Sequence, residues 1–379
     1  MLLTESEFER YSRHLVIPEV GEVGQQKLKS ASVLIIGAGG LGSPLSLYLA
    51  AAGIGNIGIV DFDTVSLTNL QRQVIYDTAD LGKPKAELAG KKILAINPGI
   101  KVKIYNTKLT SENAVEILRD YDIIADGTDN FSTRYLVNDA CLILNKPNVY
   151  ASILRFNGQV SLFNYNNGPC YRCVYPEPPA PGEIPSCEEG GVIGVLPGII
   201  GTLQANEIIK IILGAGKTLS GRLLLFEGLT TSFRELKIHK DKNCPSCSKQ
   251  LTTLSDYDML CGTNGNVLSN MSENKKEITV EELKKKIENN EKFILVDVRE
   301  PYETHISTIG GVLIPMKQLP YRIDELNKDD EIIVYCRTGN RSYYATEFLT
   351  DKQGFKNVKN LIGGINAWAE KIDNSLTKY

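Results

Sequence analysis

The chain has 379 residues, of which 42% are hydrophobic and 23% charged, and a formal net charge of −3. At about 150 residues per domain this length can bury two or three cores, and the slightly acidic balance argues against a nucleic-acid partner held by phosphate neutralisation. Eight cysteines are too few and too patterned for a disulfide scaffold; in a reducing cytoplasm, the expected compartment, their spacing reads as metal binding and catalysis.

From the N-terminus, MLLTESEFERYSRHL carries acids and no apolar h-region, so it does not read as a signal peptide. SVLII predicts a strand that runs into the loop Gly37-Ala38-Gly39-Gly40-Leu41-Gly42. The helical SPLSLYLAAAG follows, then a strand NIGIVD ending at Asp61. Glycines at 37, 39 and 42 allow a sharp strand-to-helix turn and let backbone N–H groups approach a phosphate, while an acid about 20 positions on can grip ribose hydroxyls. An NAD-dependent oxidoreductase would satisfy that much. It would not explain DFDTVSLTNLQRQ followed by GKPK, which sets Asn69, Arg72 and Lys85 where a triphosphate would extend. Cations there suit phosphate chemistry, not hydride transfer.

A helix from Pro84 to about Asn97, a strand KVKIYN, a helix near ENAVEILRD and a strand YDIIADG continue the alternation. The pattern predicts an α/β fold with a doubly wound, mostly parallel sheet that binds ligands at the carboxyl ends of its strands. After about residue 148 it changes. VYASI, GQVSLFNY, LLLFEGL and SFRELKIHK predict an antiparallel extension, the last two as a hairpin around Thr230 and Thr231. The longest apolar stretch, VIGVLPGIIG, is too short for a bilayer and is broken by Pro197 and glycines, so no membrane association is expected. VLPGIIGTLQANEIIKIIL predicts a helix apolar on most faces, buried in the core or in a dimer contact.

Two CxxC knuckles, Cys170 with Cys173 and Cys244 with Cys247, supply four thiolates to a tetrahedral ion of zinc type, a closed set that staples the β region and leaves no open position. Cys187 follows the proline-rich PEPPAPGEIPS, where a thiol on a loop could swing toward an activated acyl group. Cys141 and Cys261 read as packing residues. Residues 251–276 lose periodicity and gain Asn, Ser and Gly, marking a linker between residues 1–250 and 277–379. A smaller α/β unit follows, with helix VEELKKKIEN, strands FILVDVR and EIIVYC, helix RSYYATEFLTDKQG and a closing GGINAW. There Cys336 ends a strand, the loop Arg337-Thr338-Gly339-Asn340-Arg341 follows, and a helix begins at about Ser342. Backbone N–H groups, the helix N-terminus and Arg341 would stabilise a thiolate or persulfide there. A phosphatase of the Cys–Arg type is built on a similar plan, but its loop is usually one residue longer.

GAGGLG, VDFD, SLTNLQRQ, GKPKAE and GTDN, in this order, resemble the ubiquitin-activating-type adenylyltransferases that serve sulfur-carrier proteins, over roughly residues 5–250. The tail from about residue 275 resembles a rhodanese, through DVREPYE, the Cys336 loop and LIGGINAW, although THISTIGGVLIP departs from the usual motif. The resemblance implies a Rossmann-like first domain and the fused adenylyltransferase–sulfurtransferase plan of molybdenum-cofactor synthesis, with thiamine synthesis and tRNA thiolation as alternatives. It implies ATP held by Gly37, Gly39, Gly40, Gly42, Asp61, Thr68, Asn69, Leu70, Gln71, Arg72, Lys85, Asp129 and Asn130. Magnesium would sit on Asp129, and Arg13 would be lent to a partner subunit's nucleotide in a homodimer. Cys187 would be an acceptor and Cys336 the persulfide carrier. The implied partners are a ubiquitin-like carrier ending in Gly-Gly and a persulfide donor such as a cysteine desulfurase. A non-catalytic zinc-stapled binding module stays open beside these readings.

Overall fold

The computed structural model of the chain describes residues 2–179, 190–248, 251–255, 257 and 276–378. Cys187, Cys261 and most of the expected linker lie outside the described residues. The chain divides into two units, Met1–Asn264 and Gly265–Tyr379.

In the first unit, β1 (Ser32–Ile36), β2 (Asn56–Val60), β3 (Lys101–Tyr105), β4 (Ile123–Asp126) and β5 (Asn148–Leu154) form the parallel part of one sheet. The strands β6 (Asn157–Phe163), β7 (Arg222–Glu227) and β8 (Ser232–Lys237) extend it antiparallel, in the order β3-β2-β1-β4-β5-β6-β7-β8. The continuous apolar run of β1 arises because both its faces are covered. Val33 and Ile35 enter a core with Leu45, Leu49, Ala89, Ile93, Ile200 and Ile208, while Leu34 and Ile36 enter another with Leu118, Tyr135, Val137 and Ala140. Side chains that alternate along one strand thus feed two layers of helices. The predicted doubly wound sheet and its antiparallel extension are both present, and the β7–β8 hairpin turns where expected, with Thr231 at φ +51°.

The helices Glu5–Arg10, Gly21–Ser30 and Phe131–Leu144 were not among the expected elements, and the last is the longest of them. Its N-cap Asn130 accepts the Thr133 N–H at 2.9 Å, and Asn145, left-handed at φ +51°, ends it. These are ordinary start and stop signals, but Ser132, Arg134, Asn138 and Asp139 are buried here and interrupt the apolar period by which helices are read.

The helix Leu196–Leu213 packs against the helix Gly42–Ala52, β5 and β6, as its apolar composition predicts for a core element. By length and composition alone it could cross a membrane, yet 44% of it is buried within the protein. Its Gln204 is fully buried, and Nε2 donates to Asp126 O at 2.8 Å and Val149 O at 2.7 Å. One side chain thereby ties the carboxyl end of β4 to β5.

The second unit is a wholly parallel sheet of β9 (Glu277–Ile278), β10 (Ile294–Asp297), β11 (Val312–Leu313), β12 (Glu331–Tyr335) and β13 (Asn357–Leu361), ordered β11-β10-β12-β13-β9. The helix Val280–Glu288 begins with a reciprocal cap between Thr279 and Glu282. The helix after Cys336 spans Asn340–Glu347, two residues earlier than the sequence suggests.

Replacing Gln204 by Leu should strand two carbonyls and lower the unfolding free energy of the first unit by roughly 2 kcal/mol. Urea denaturation would show this as a lower midpoint for that unit's transition.

Candidate functional site

Strand order reverses at β1, which has β2 on one side and β4 on the other, and a crevice opens outside the carboxyl ends. The resulting cavity of about 190 Å³ is lined by Gly37, Gly39 and Gly40 after β1, Asp61 and Asp63 after β2, Thr128, Asp129 and Asn130 after β4, with Arg72, Gln73, Lys85 and Arg134. Gly37 has φ +89°, and a Cβ on Gly42 would collide with the Gly37 carbonyl oxygen, so the sharp entry into the helix requires both glycines.

Asp61 accepts N–H groups from Ala38 at 2.7 Å and Asp63 at 2.8 Å, which aim the carboxylate back across the glycine loop. Burial pushes its carboxyl above the ordinary range, against those two N–H groups and the Lys85 charge, which pull it down. Lys85 is 5% exposed, with Nζ 3.0 Å from Asp63 Oδ2. The Tyr76 hydroxyl lies within hydrogen-bond distance of Ala38 O, at 2.8 Å, and of Lys85 O, at 3.2 Å, so its single proton sits between the glycine loop and the start of the lysine helix. Arg72 donates to Thr68 O at 2.9 Å.

The cavity therefore brings together Gly37, Gly39, Gly40, Asp61, Arg72, Lys85, Asp129 and Asn130. Gly42 shapes it from the helix start. Asn69 is buried and its Oδ1 accepts the Ser66 N–H at 3.2 Å, so its amide holds the turn that carries Arg72. Thr68 and Gln71 are exposed on that turn and Leu70 half-buried; none of the three lines the cavity, and neither does Arg13, exposed on the short helix Ser12–Leu15. Sequence reasoning missed Gln73 and Asp63. Gln73, 4% exposed beside Gly39, was signalled by the second glutamine of LQRQ, and Asp63 by its place two residues after Asp61.

The Sγ atoms of Cys170, Cys173, Cys244 and Cys247 lie within 4.8 Å of one another, with Cys170–Cys244 and Cys173–Cys247 at 3.5 Å and Cys170–Cys173 at 3.8 Å. Four sulfurs about 2.3 Å from one tetrahedral ion stand about 3.8 Å apart, so this donor set can bind a metal ion. Burial and the neighbouring sulfurs push the Cys170 thiol up and Cys247 to about 12, a crowding that a cation would relieve. The first knuckle is held from behind. Arg172, between its cysteines, forms a forked ion pair with Asp139, Tyr257 donates to Asp139 Oδ2 at 2.8 Å, and Tyr171 N–H reaches Asn138 Oδ1 at 2.8 Å.

In the second unit Cys336 is 1% exposed at the end of β12, and its Sγ accepts the Gly339 N–H at 3.2 Å. Arg341, expected to stabilise the sulfur, pairs with a carboxylate. Its Nη1 and Nη2 each lie 2.7 Å from a different oxygen of Glu303, a buried carboxylate at the end of the DVREPYE motif to which sequence reasoning gave no role.

The sequence model of the ThiF family matches residues 11–246, and that of the rhodanese-like domain matches residues 279–371. The chain belongs to the ThiF family. It is similar along its whole length to "Probable adenylyltransferase/sulfurtransferase MoeZ" of Mycobacterium tuberculosis, at 45% identity over 385 residues that cover 100% of this chain and 96% of that one. Its first 69% is similar to the "Sulfur carrier protein adenylyltransferase" of Thermus thermophilus, at 50% identity over 269 residues and 99% of that protein. Among solved structures, Escherichia coli MccB with ATP superposes with a TM-score of 0.55 at 25% identity, covering 64% of this chain and 75% of that one. This ThiF-family chain is thus an adenylyltransferase and a sulfurtransferase, and ATP use follows from the first activity. The oxidoreductase, phosphatase and non-catalytic readings are set aside.

Replacing Glu303 by Gln should lower the stability of the rhodanese unit by about 1–2 kcal/mol, a buried-pair loss discounted for the partly exposed arginine. A thermal double-mutant cycle with Arg341→Met should give a double variant less destabilised than the two single losses summed.

Proposed function

We propose that the chain adenylates the C-terminal glycine of a ubiquitin-like sulfur carrier ending in Gly-Gly and converts it to a thiocarboxylate, in molybdenum-cofactor synthesis within the cytoplasm. The observation that carries this reading is the convergence of the glycine loop, Asp61, Arg72, Lys85 and Asp129 at the carboxyl ends of β1, β2 and β4. The Thermus relative's printed substrate and the ATP in the MccB structure support it.

In the first step a carboxylate oxygen of the carrier attacks the α-phosphorus of ATP and pyrophosphate leaves with the bonding pair. The glycine loop would cradle phosphate, Asp61 would hold the ribose, and Arg72 and Lys85 would stabilise the charge that develops on the leaving group. Asn69 would act by fixing the turn beneath Arg72. Magnesium, which shields phosphate charge when bound, would be held by Asp129. Arg13 would serve the partner subunit's cleft in a homodimer. In the second step the outer sulfur of a Cys336 persulfide, charged by a donor such as a cysteine desulfurase, attacks the acyl carbon and AMP leaves. That leaves an acyl disulfide between the carrier and Cys336; a thiol, for which Cys187 is the candidate, would attack Cys336 Sγ, the S–S bond would break with its electron pair on the departing thiocarboxylate, and an external dithiol would reduce the new disulfide. Residues 1–250 would carry the first step and 277–379 the second, with 251–276 joining them; one chain raises the effective concentration of persulfide at the adenylate.

Carrier-dependent exchange of labelled pyrophosphate into ATP tests the reading. Arg72→Ala should slow exchange by about 10²–10³-fold, as for loss of one donor to a developing charge. Cys336→Ala should leave exchange intact and abolish thiocarboxylate formation, and absence of exchange with every Gly-Gly-ended carrier of the source organism would refute the proposal. Carriers of molybdopterin, thiamine and tRNA-thiolation pathways, offered in turn, would identify the pathway.

The four-sulfur set, having no open position, would hold zinc for structure. Chelation should lower the melting temperature of the first unit and leave thiosulfate:cyanide sulfur transfer unchanged; metal analysis should find one zinc per chain, lost in Cys244→Ser.

A further inference from the structure

Beside Gly339, the sulfur of Cys336 has a second neighbour of consequence. Ser342, fully buried on the helix Asn340–Glu347, has Oγ 3.4 Å from Cys336 Sγ and 2.6 Å from Asn360 Oδ1. Asn360 is 3% exposed on β13, beside Val334 of the strand that leads into Cys336. A hydroxyl carries one proton, and an amide oxygen can only accept. Ser342 can therefore donate to Asn360 or to the sulfur, but not to both.

The state of the sulfur decides which. A neutral thiol can give its own proton to Ser342 Oγ, leaving the hydroxyl proton for Asn360. A thiolate has no proton to give, and faces an oxygen lone pair unless the hydroxyl turns. In this buried site such a mismatch is costly, and a hydrogen bond to a charged acceptor is worth more than one to a neutral amide.

We propose that Ser342 is a catalytic residue of sulfur transfer, its hydroxyl turning from Asn360 to Cys336 Sγ whenever negative charge returns to that atom, with Asn360 the positioning residue that holds the proton in between. This rests on the reading of Cys336 as sulfur carrier. With thiosulfate, the Sγ thiolate attacks the sulfane sulfur, a new S–S bond forms, the bond to the sulfonate breaks, and sulfite leaves with the electron pair. The charge now sits on the outer sulfur, Sγ is neutral, and the hydroxyl returns to Asn360. On discharge the acceptor bonds the outer sulfur, the S–S bond breaks, and the pair goes back to Sγ. Turning of the hydroxyl then stabilises the leaving thiolate. The device is asymmetric: it assists discharge, whereas in charging it stabilises the attacking nucleophile itself.

The test uses the full chain with thiosulfate and cyanide, following the two half-reactions separately by rapid quench of ³⁵S-labelled enzyme. Ser342→Ala should slow thiocyanate release from the preloaded persulfide about tenfold, the loss expected for a hydrogen bond to a charged group, and change charging by less than about threefold. Ser342→Thr should restore discharge. Asn360→Leu, which removes the competing acceptor, should leave discharge as fast as in the parent or faster. Equal slowing of both half-reactions by Ser342→Ala, failure of Thr to rescue, or slowing of discharge by Asn360→Leu would each overturn the proposal; if Asn360→Leu does not fold, the alanine and threonine variants decide. Label retained by Cys336→Ala would instead overturn the reading of Cys336 as carrier.

Discussion

Burial of β1 on both faces is the constraint from which the first unit takes its geometry. Val33, Leu34, Ile35 and Ile36 are each at most 2% exposed, and each such side chain contributes about 1.5–3 kcal/mol when removed from water. A strand so committed cannot slip, since a shift of one residue would exchange its two cores. Its end is therefore a fixed point, and the glycine loop, Asp61 and the segment after β4 are all placed relative to it. Gln204 fixes the neighbouring strand ends in the same way, by a side chain instead of a loop.

The two units meet a common requirement by the same means. Each ends a buried parallel strand in a glycine-containing turn that leads into a helix, and in each a main-chain N–H of that turn holds a side chain of the site, Ala38 N–H the Asp61 carboxylate and Gly339 N–H the Cys336 sulfur. In both, the conspicuous cations are already engaged, Lys85 with Asp63 and Arg341 with Glu303. Backbone donors cannot leave, whereas long side chains can change partners. A site built mainly on the former keeps its shape while the charge on its ligand moves.

Much of this was legible in the sequence because it depends on local pattern. Short apolar runs between helical segments gave the strands, the glycine spacing gave the turn, and paired CxxC motifs gave a cluster whose sulfurs do converge. What escaped was set by tertiary packing. The helix Phe131–Leu144 hides its period behind buried polar residues, and Asp139 looks like surface until Arg172 and Tyr257 arrive from distant parts of the chain. Glu303 and Asp63 were passed over for the same reason, since a cation's partner is not written beside it. Gln73 was visible as a letter in a motif, but its place beside Gly39 depends on how the LQRQ turn folds back.

That overlooked helix joins two places with no obvious relation. Its start, with Asn130 and Thr133, borders the cavity, and about 10 Å further along its axis Asn138 and Asp139 brace the cysteine knuckle. It behaves as a rigid spoke between a metal-type cluster and a phosphate-type cleft. Inherited changes at Asn138 or Asp139, which stand one shell behind the cysteines, would register at both ends at once, and a survey confined to ligand-touching positions would misjudge them as silent.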